Sequence, residues 1–183
     1  MFHLDHLPNQ RPGEQTVLFL RRHWIDLFKL VVITVFACLA PIALLWLIGQ
    51  TAPDIASQEA SGALASVFLS VFYLAVVTFF FQEFVDYYLD TWIVTSERVI
   101  NIEQNGLFNR TASELHLATV QDVSAELKGI VATFLDYGDV KVQTAGALTH
   151  FHFKSIPHPE RVREVILRLV NEDKQRHGEM RGI

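Results

Sequence analysis

The sequence predicts an α+β membrane protein, in which two transmembrane helices precede a small antiparallel β-barrel or sandwich capped by a C-terminal helix. Three observations lead to this prediction. Residues 30–49 and 63–81 are long runs without a charged residue. From residue 91 onward, short runs rich in β-branched residues take their place, and a helical stripe follows residue 159. A membrane anchor joined to one compact domain accounts for all three.

The two charge-free runs have the length of membrane-spanning helices. Residues 30–49, LVVITVFACLAPIALLWLIG, would form a helix of about 30 Å, the thickness of the hydrocarbon core of a bilayer. Residues 63–81 form a second run. The alternative for each is a buried core helix, but a chain of 183 residues has too little protein to cover two. Neither run contains an ionisable Asp, Glu, Lys, Arg or His, which argues against a transporter or pump.

The spans divide the chain into segments. Within the N-terminal part, apolar residues at 17, 20, 24, 27 and 28 predict an amphipathic helix over residues 14–29, lying at the membrane interface. The predicted segments are an N-terminal segment (1–29), a first span (30–49), an external loop (50–62), a second span (63–81), a juxtamembrane connector (82–90), a β domain (91–175) and a tail (176–183).

Basic residues near the first span predict the orientation. Arg11, Arg21, Arg22 and Lys29 precede this span, whereas the loop over residues 50–62 contains no Lys or Arg. The positive-inside rule therefore places both termini in the cytoplasm. The chain is therefore predicted to cross the membrane twice.

The region after residue 91 reads as six or seven antiparallel strands. Asn105-Gly106 predicts a tight hairpin turn. A two-residue turn would place Ile102 opposite Asn109, so a bulge is expected near it. Further strands are expected within residues 113–127, in DVKVQT after Gly138, and in LTHFHFK after a glycine-containing turn at 145–147. The segment IVATFLDY suits a short helical turn or a loop.

The last element has the clearest helical pattern. Pro159 suits a first helical position, where a backbone N–H would have no hydrogen-bond acceptor within the helix. Four apolar residues then recur with helical spacing and predict the face that packs against the strands. These residues are Val162, Val165, Ile166 and Leu169.

The stretches WIVTSERVINIEQNGLFNRTASELHLATVQDV, GDVKVQTAG and FHFKSIPHPERVREVI together resemble the bacterial pleckstrin-homology (PH)-like domain of small YdbS-like membrane proteins. The upstream PGEQTVLFLRRHWIDL, followed by two spans, is similar to the N-terminal arrangement of that family. The resemblance covers nearly the whole chain. It implies a bent β-barrel capped by a C-terminal helix and a membrane-bound topology, but little about biochemistry. With the two spans, it predicts a multi-pass location in the bacterial cytoplasmic (inner) membrane.

No catalytic or cofactor motif is present: the chain contains no GxxxxGK[ST], GxGxxG, GxSxG or HExxH pattern, and a single cysteine, Cys38. A net charge of −5 gives no basic field for nucleic acid. We therefore expect a non-enzymatic protein without a cofactor. It would be an adaptor or scaffold whose cytoplasmic PH-like domain meets an unknown protein partner or copies of itself.

Two alternatives remain open. The first is a sensor of anionic lipid headgroups, since eukaryotic PH domains often bind inositol phosphates through basic residues near their first hairpin. The second is a metal-dependent enzyme using His150 and His152, which share a strand face, with His116 and His158 as possible neighbours. The candidate headgroup contacts are Arg21, Arg22, His23, Trp24 and Arg98, whereas Arg110, Lys128, Lys141 and Lys154 would have to converge on Arg98 in space.

Overall fold

The computed structural model describes residues 13–56, 59–104, 106–144 and 151–180. The chain forms two compact units. The helical unit comprises Trp24–Tyr88 and Asn105–Asn109, and the β unit comprises the described residues of the remainder. The β unit is therefore discontinuous in sequence, because both long helices are inserted between its first and second strands.

The helical unit contains α1 (Trp24–Thr51), the short α2 (Pro53–Ala56) and α3 (Glu59–Leu89). The predicted spans fall inside α1 and α3, whose apolar side chains are exposed or half-buried, with Ile25 and Pro41 of α1 as the buried exceptions. Both helices are long and apolar enough to cross a membrane by length and composition. The hydroxyl of Tyr73 in α3 donates to the carbonyl oxygen of Cys38 in α1 at 3.0 Å.

The juxtamembrane connector predicted at 82–90 is helical, and α3 continues to Leu89. No glycine or proline interrupts QEFVDYYL. Aromatic rings four residues apart also stack along this turn, with centroids 6.3 Å apart for Phe80 and Phe84 and 6.1 Å apart for Phe84 and Tyr88. Such i,i+4 contacts favour the helix over an extended link.

The amphipathic helix predicted over residues 14–29 is not formed. Thr16–Arg21 is instead a strand, β1, and helix begins only at Trp24. β1 pairs antiparallel with β2 (Thr91–Thr95), and Arg21 lies opposite Thr91. The apolar residues of TVLFLR are compatible with the spacing of a helix and with that of a strand. Pairing with a strand some seventy residues later decides between them, because it satisfies the backbone polar groups of the run and buries Leu20 in the core.

A four-stranded antiparallel sheet has the order β1-β2-β3-β4, with β3 at Arg98–Gln104 and β4 at Arg110–His116. The predicted hairpin between β3 and β4 is confirmed, but its tight turn is wrong. Ile102 lies opposite Ala112 rather than Asn109, so residues 105–109 form a five-residue connection. Asn105 itself lies outside the described residues, while Gly106 has the positive φ of 75° expected of a glycine in a turn.

A second antiparallel sheet has the order β5-β6-β7 and follows a single 3-10 turn after β4. Of the short helical turn or loop expected within IVATFLDY, the structure shows the helix, α4, between β5 and β6. The glycine-containing turn predicted at 145–147 lies outside the described residues. Gly138 is required here, because a Cβ at this position would lie 2.4 Å from the carbonyl oxygen of Glu126. The elements of this sheet are β5 (Val120–Glu126), α4 (Ile130–Phe134), β6 (Tyr137–Thr144) and β7 (Phe151–Pro157).

The C-terminal helix α5 runs from Pro159 to Met180, which confirms its predicted start and extends it beyond the predicted boundary at 175. Its apolar stripe packs on a core formed by both sheets, in which the Trp92 and Phe153 rings lie 5.7 Å apart. The described strands form two separate antiparallel sheets with one shared core. The β unit is therefore a sandwich rather than the closed barrel that was the other expectation.

Candidate functional site

Two of the predicted headgroup contacts lie where the chain passes from β1 into α1, but they have partners within the β unit. Arg22 forms an ion pair with Asp90, whose side chain is buried. The second oxygen of Asp90 accepts a bond of 2.8 Å from the backbone N–H of Gln104. The ring of His23 stacks on Tyr137, with centroids 5.1 Å apart. These contacts fix the end of β1 within the β unit.

The other two junction residues are exposed. The guanidinium of Arg21 lies 5.3 Å above the ring of Phe19. Trp24 is about half exposed, with its ring edge-on to Phe28 at 6.1 Å. An exposed cation and an exposed indole three residues apart in sequence suit the polar–apolar boundary of a bilayer. The predicted role of Arg21 and Trp24 as headgroup contacts stays a prediction.

Arg98 is not available to a headgroup, so this candidate is corrected. Its side chain is 3 % exposed and bonds Glu14 at 2.9 and 3.1 Å and Glu114 at 2.6 Å. The Thr95 hydroxyl donates to the same Glu14 carboxylate at 2.7 Å. The hydrogen bonds to Glu14, more than those to Glu114, raise the pKa of Arg98 above its ordinary value. Arg98 therefore holds the segment before β1 against the sheet.

Two of the basic residues expected to converge on Arg98 bind a carboxylate instead. Lys128 and Lys141 come together around Glu126, each at 2.7 Å. These hydrogen bonds, with that from Lys128 the larger, lower the pKa of Glu126 to about 2. Both cations thus already have an anionic partner, and the charge left for a phosphate is small.

Two of the four histidines considered for a metal site lie beside aspartates. His152 Nε2 lies 3.1 Å from Asp139, and His158 Nδ1 bonds Asp136. His150 lies outside the described residues. Within the described part of the chain, no group of three or more His, Cys, Asp or Glu side chains is placed to hold a metal ion.

A groove of about 530 Å³ runs between strand β5 and helix α5. Residues 122–125 form one wall, and Glu160, Arg163 and Glu164 form the other. β5 is an edge strand of its sheet. Arg163 Nε donates to the carbonyl oxygen of Val123 at 2.9 Å, which shows that this carbonyl faces the helix rather than β6.

The register of β5 defines what its free edge offers. Val123 pairs with Val142 and Ala125 pairs with Val140. Backbone groups of alternate residues in an antiparallel pair point the same way. Since the carbonyl of Val123 faces the groove, the N–H and C=O groups of Ala125 face it too. The groove therefore presents a short row of backbone hydrogen-bonding groups to an added strand.

The groove is acidic. Asp122, Glu160 and Glu164 line it with a single cation, Arg163. Among the described residues, none of the three carboxylates has a cationic side-chain partner within 4.0 Å, whereas Arg168 farther along α5 pairs with Glu172 at 3.8 Å. Sequence reasoning missed this site. The available signal was the pair of acidic residues four apart near the start of α5, which share one helix face.

Residues 28–170 match the family model described as Bacterial PH domain. The chain belongs to the bacterial PH domain family. The match includes most of α1 and all of α3, and it ends within α5. β1 lies outside the matched residues of this bacterial PH domain protein, although it forms the edge of its larger sheet. No curated protein sequence matches the chain.

Two solved PH-domain structures resemble parts of this bacterial PH domain protein. One is a DUF1696-family protein with a pleckstrin-homology domain from Shewanella loihica, at 15 % identity and a TM-score of 0.34, covering 45 % of this chain and 68 % of that one. The other is a pleckstrin-homology domain from Shewanella amazonensis, at 16 % identity and a TM-score of 0.35, covering 44 % and 66 %.

Proposed function

We propose that this protein is a membrane-anchored, non-enzymatic adaptor or scaffold whose PH-like domain binds a protein partner, or a second copy of itself, through the β5–α5 groove. The observation that carries the proposal is an edge strand with outward-facing backbone groups beside an acidic groove of about 530 Å³. Addition of an extended segment to such an edge is a common mode of peptide recognition. YdbS-like proteins, in which two spans precede the domain, are the subtype we infer.

The anchor would be α1 and α3. At about 1.5 Å per residue, helices of 28 and 31 residues are about 42 and 46 Å long, more than the roughly 30 Å of a bilayer core. Their exposed apolar surface would be unfavourable in water and is explained by lipid. We infer the cytoplasmic membrane of a bacterium, with both termini in the cytoplasm, from the basic residues that precede α1.

Cysteine accessibility tests the topology. Cys38 is the only cysteine, so Cys38→Ser gives a cysteine-free background. In that background, Ala60→Cys should react with an impermeant maleimide added to intact spheroplasts, and Lys174→Cys should react only after the membrane is opened. Reaction of Lys174→Cys in intact spheroplasts would reverse the orientation, and recovery of the chain in the soluble fraction would remove the anchor.

The expected ligand is an extended segment with basic side chains. Asp122, Glu160 and Glu164 supply the complementary charge, while the N–H of Val123 and the N–H and C=O of Ala125 would pair with the added strand. The carbonyl of Val123 already accepts a bond from Arg163. We expect charge complementarity to set selectivity and association rate, and the strand addition to fix direction and register. A neutral or acidic segment would leave three carboxylates in the groove with Arg163 as their cation.

Site-specific photocrosslinking tests the groove in cells. A photoreactive residue replaces Ser124 in the groove wall or, as a control, the exposed Arg168 on the outer side of α5. We expect specific adducts only from position 124, reduced at least fivefold by Glu164→Lys but not by the matched reversal Glu172→Lys. A foreign adduct indicates an adaptor and a self-adduct indicates a scaffold. Equal adducts from both positions would refute the groove.

A lipid-headgroup sensor is the second candidate, favoured by the exposed pair Arg21 and Trp24. It predicts that the full chain in nanodiscs changes with lipid charge. Specifically, amides of residues 16–24 should exchange more slowly in discs containing phosphatidylglycerol than in neutral discs, and Arg21→Ala should abolish the difference. Identical exchange in both kinds of disc would exclude this role for the junction.

A further inference from the structure

The short helix α4 exposes large apolar side chains that no other described residue covers. Ile130, Val131 and Phe134 are 90, 57 and 86 % exposed, whereas Ala132 is buried, at 2 %. Each large apolar side chain left in water forgoes about 1.5–3 kcal/mol of burial energy. Three such residues within five positions form an apolar tip, and such tips mark surfaces that meet another apolar phase.

The local structure holds this tip in a defined shape. Gly129, with a φ of 96°, opens the helix, and its carbonyl accepts bonds of 3.1 Å from both the N–H and the hydroxyl of Thr133. The N–H of Leu135 closes the turn on the carbonyl of Val131 at 3.0 Å. With Ala132 facing inward, the apolar side chains have no room on the inner side and must project outward.

The tip lies at the end of the β unit from which the chain continues into α1. Tyr137 follows α4 by three residues and stacks on His23, the residue immediately before α1. The N–H of His23 also donates to the carbonyl of Ser155 at 2.6 Å, which fixes this end. Three residues span at most about 10 Å, so Phe134 is held within about that distance of Tyr137.

We propose that α4 inserts Ile130, Val131 and Phe134 into the interfacial layer of the same bilayer that holds α1 and α3. This inference rests on the proposed membrane anchor. Chain connectivity holds the His23 end of the domain at the membrane surface, and apolar side chains there would enter the boundary between headgroups and acyl chains, about 5–10 Å deep. The domain would then have a second, non-covalent attachment to the bilayer.

The charges near the tip favour lipid over a protein partner. The segment from Gly129 to Leu135 contains no charged residue. The nearest cation in sequence, Lys128, already pairs with Glu126 at 2.7 Å. Insertion is therefore expected in neutral and anionic bilayers alike and does not depend on a specific headgroup.

Fluorescence quenching in reconstituted membranes tests this inference. The full chain, in the Cys38→Ser background, carries an environment-sensitive label at Ile130→Cys, at the exposed helix position Glu172→Cys, or at Leu44→Cys within α1. Phosphatidylcholine nanodiscs contain either a shallow or a deep nitroxide lipid. We expect the label at 130 to be quenched by the shallow nitroxide at least twofold more than the label at 172, and the added substitution Phe134→Ser to reduce this quenching.

The label at 44 separates the two proposals. Deep quenching at 44 without shallow quenching at 130 would leave the anchor in place and overturn the insertion of α4. Absence of deep quenching at 44 would overturn the anchor, and the insertion with it. A label at 130 that is shielded from aqueous quencher but insensitive to nitroxide lipid would indicate a protein contact and would also refute insertion. If the shielding rises with the number of chains per disc, that contact is with a second copy.

Discussion

Replacing Arg98 with methionine should destabilise the β unit whether or not lipid is present. Methionine keeps the apolar stem of the side chain and removes its charge. The carboxylate of Glu14, which has no exposed side-chain surface, then loses both hydrogen bonds to Arg98, at 2.9 and 3.1 Å, while the 2.7 Å bond from Thr95 remains. A buried carboxylate that loses its cationic partner is a costly arrangement.

The magnitude follows from the burial of each partner. Breaking a buried ion pair by removing one member costs about 3–5 kcal/mol. The lower end of this cost applies to Arg98→Met. Its second partner, Glu114, is 46 % exposed, so water can hydrate the Glu114 carboxylate when the ion pair is lost. We therefore expect a loss of about 3 kcal/mol, which corresponds to roughly a hundredfold change in an equilibrium constant. Glu114→Gln should cost at most about 1 kcal/mol.

Amide hydrogen exchange of the full chain in nanodiscs measures this loss directly, since slow exchange in β2 and β3 reports the opening free energy of those strands. Arg98→Met should reduce their protection about a hundredfold, and the double variant Glu14→Gln with Arg98→Met should recover part of it, because the stranded charge is gone. Unchanged protection in Arg98→Met, together with altered dependence on anionic lipid, would refute the reasoning and restore Arg98 as a headgroup contact.

Three further predictions concern stability. Asn101→Leu should stabilise the β unit by about 1 kcal/mol, because the amide oxygen of Asn101 is buried without a hydrogen-bond partner; a lower midpoint in urea would contradict this. Ser155→Gly should stabilise it by about 0.5 kcal/mol, because Ser155 has a φ of 49°, whereas Ser155→Ala should give no gain in the same titration. The pKa of Glu126 lies at about 2, below its ordinary 4.5, so its ionised form contributes stability above pH 4.5 that disappears as the pH falls through 2. Glu126→Gln should therefore unfold at lower urea than the wild type at pH 6, with the difference vanishing near pH 2; a constant difference would exclude the linkage.

Elements whose pattern is local were predictable from the sequence. The helix α5 has an apolar stripe and a proline at its first position, and both signals lie within a few residues of each other. The strand β6 was evident because Val140 and Val142 alternate with polar residues, and both are fully buried. The two long apolar helices were predictable for the same reason, since a continuous apolar run needs no distant partner to form a helix.

Features that depend on distant residues were not predictable. TVLFLR has apolar residues compatible with a helix or a strand, and only its pairing with Thr91–Thr95 decides between them. Arg98 lies in a polar SER interruption that suggests exposure, but its burial depends on Glu14, 84 residues earlier in the chain. The acidic groove likewise combines two elements, β5 and α5, whose side chains meet only in the folded domain.

The pairing of β1 with β2 gives the proposed anchor a specific physical consequence. Arg21 and Thr91 lie opposite each other in the sheet, so the chain leaves the β unit and returns to it at paired positions. The buried Asp90 joins these positions through Arg22 and through the N–H of Gln104 on β3. Asp90 thus ties the end of β1 to the start of β2 and to β3 from within the β unit. Asp90→Ala would remove both bonds at the point where the chain leaves this unit and returns to it.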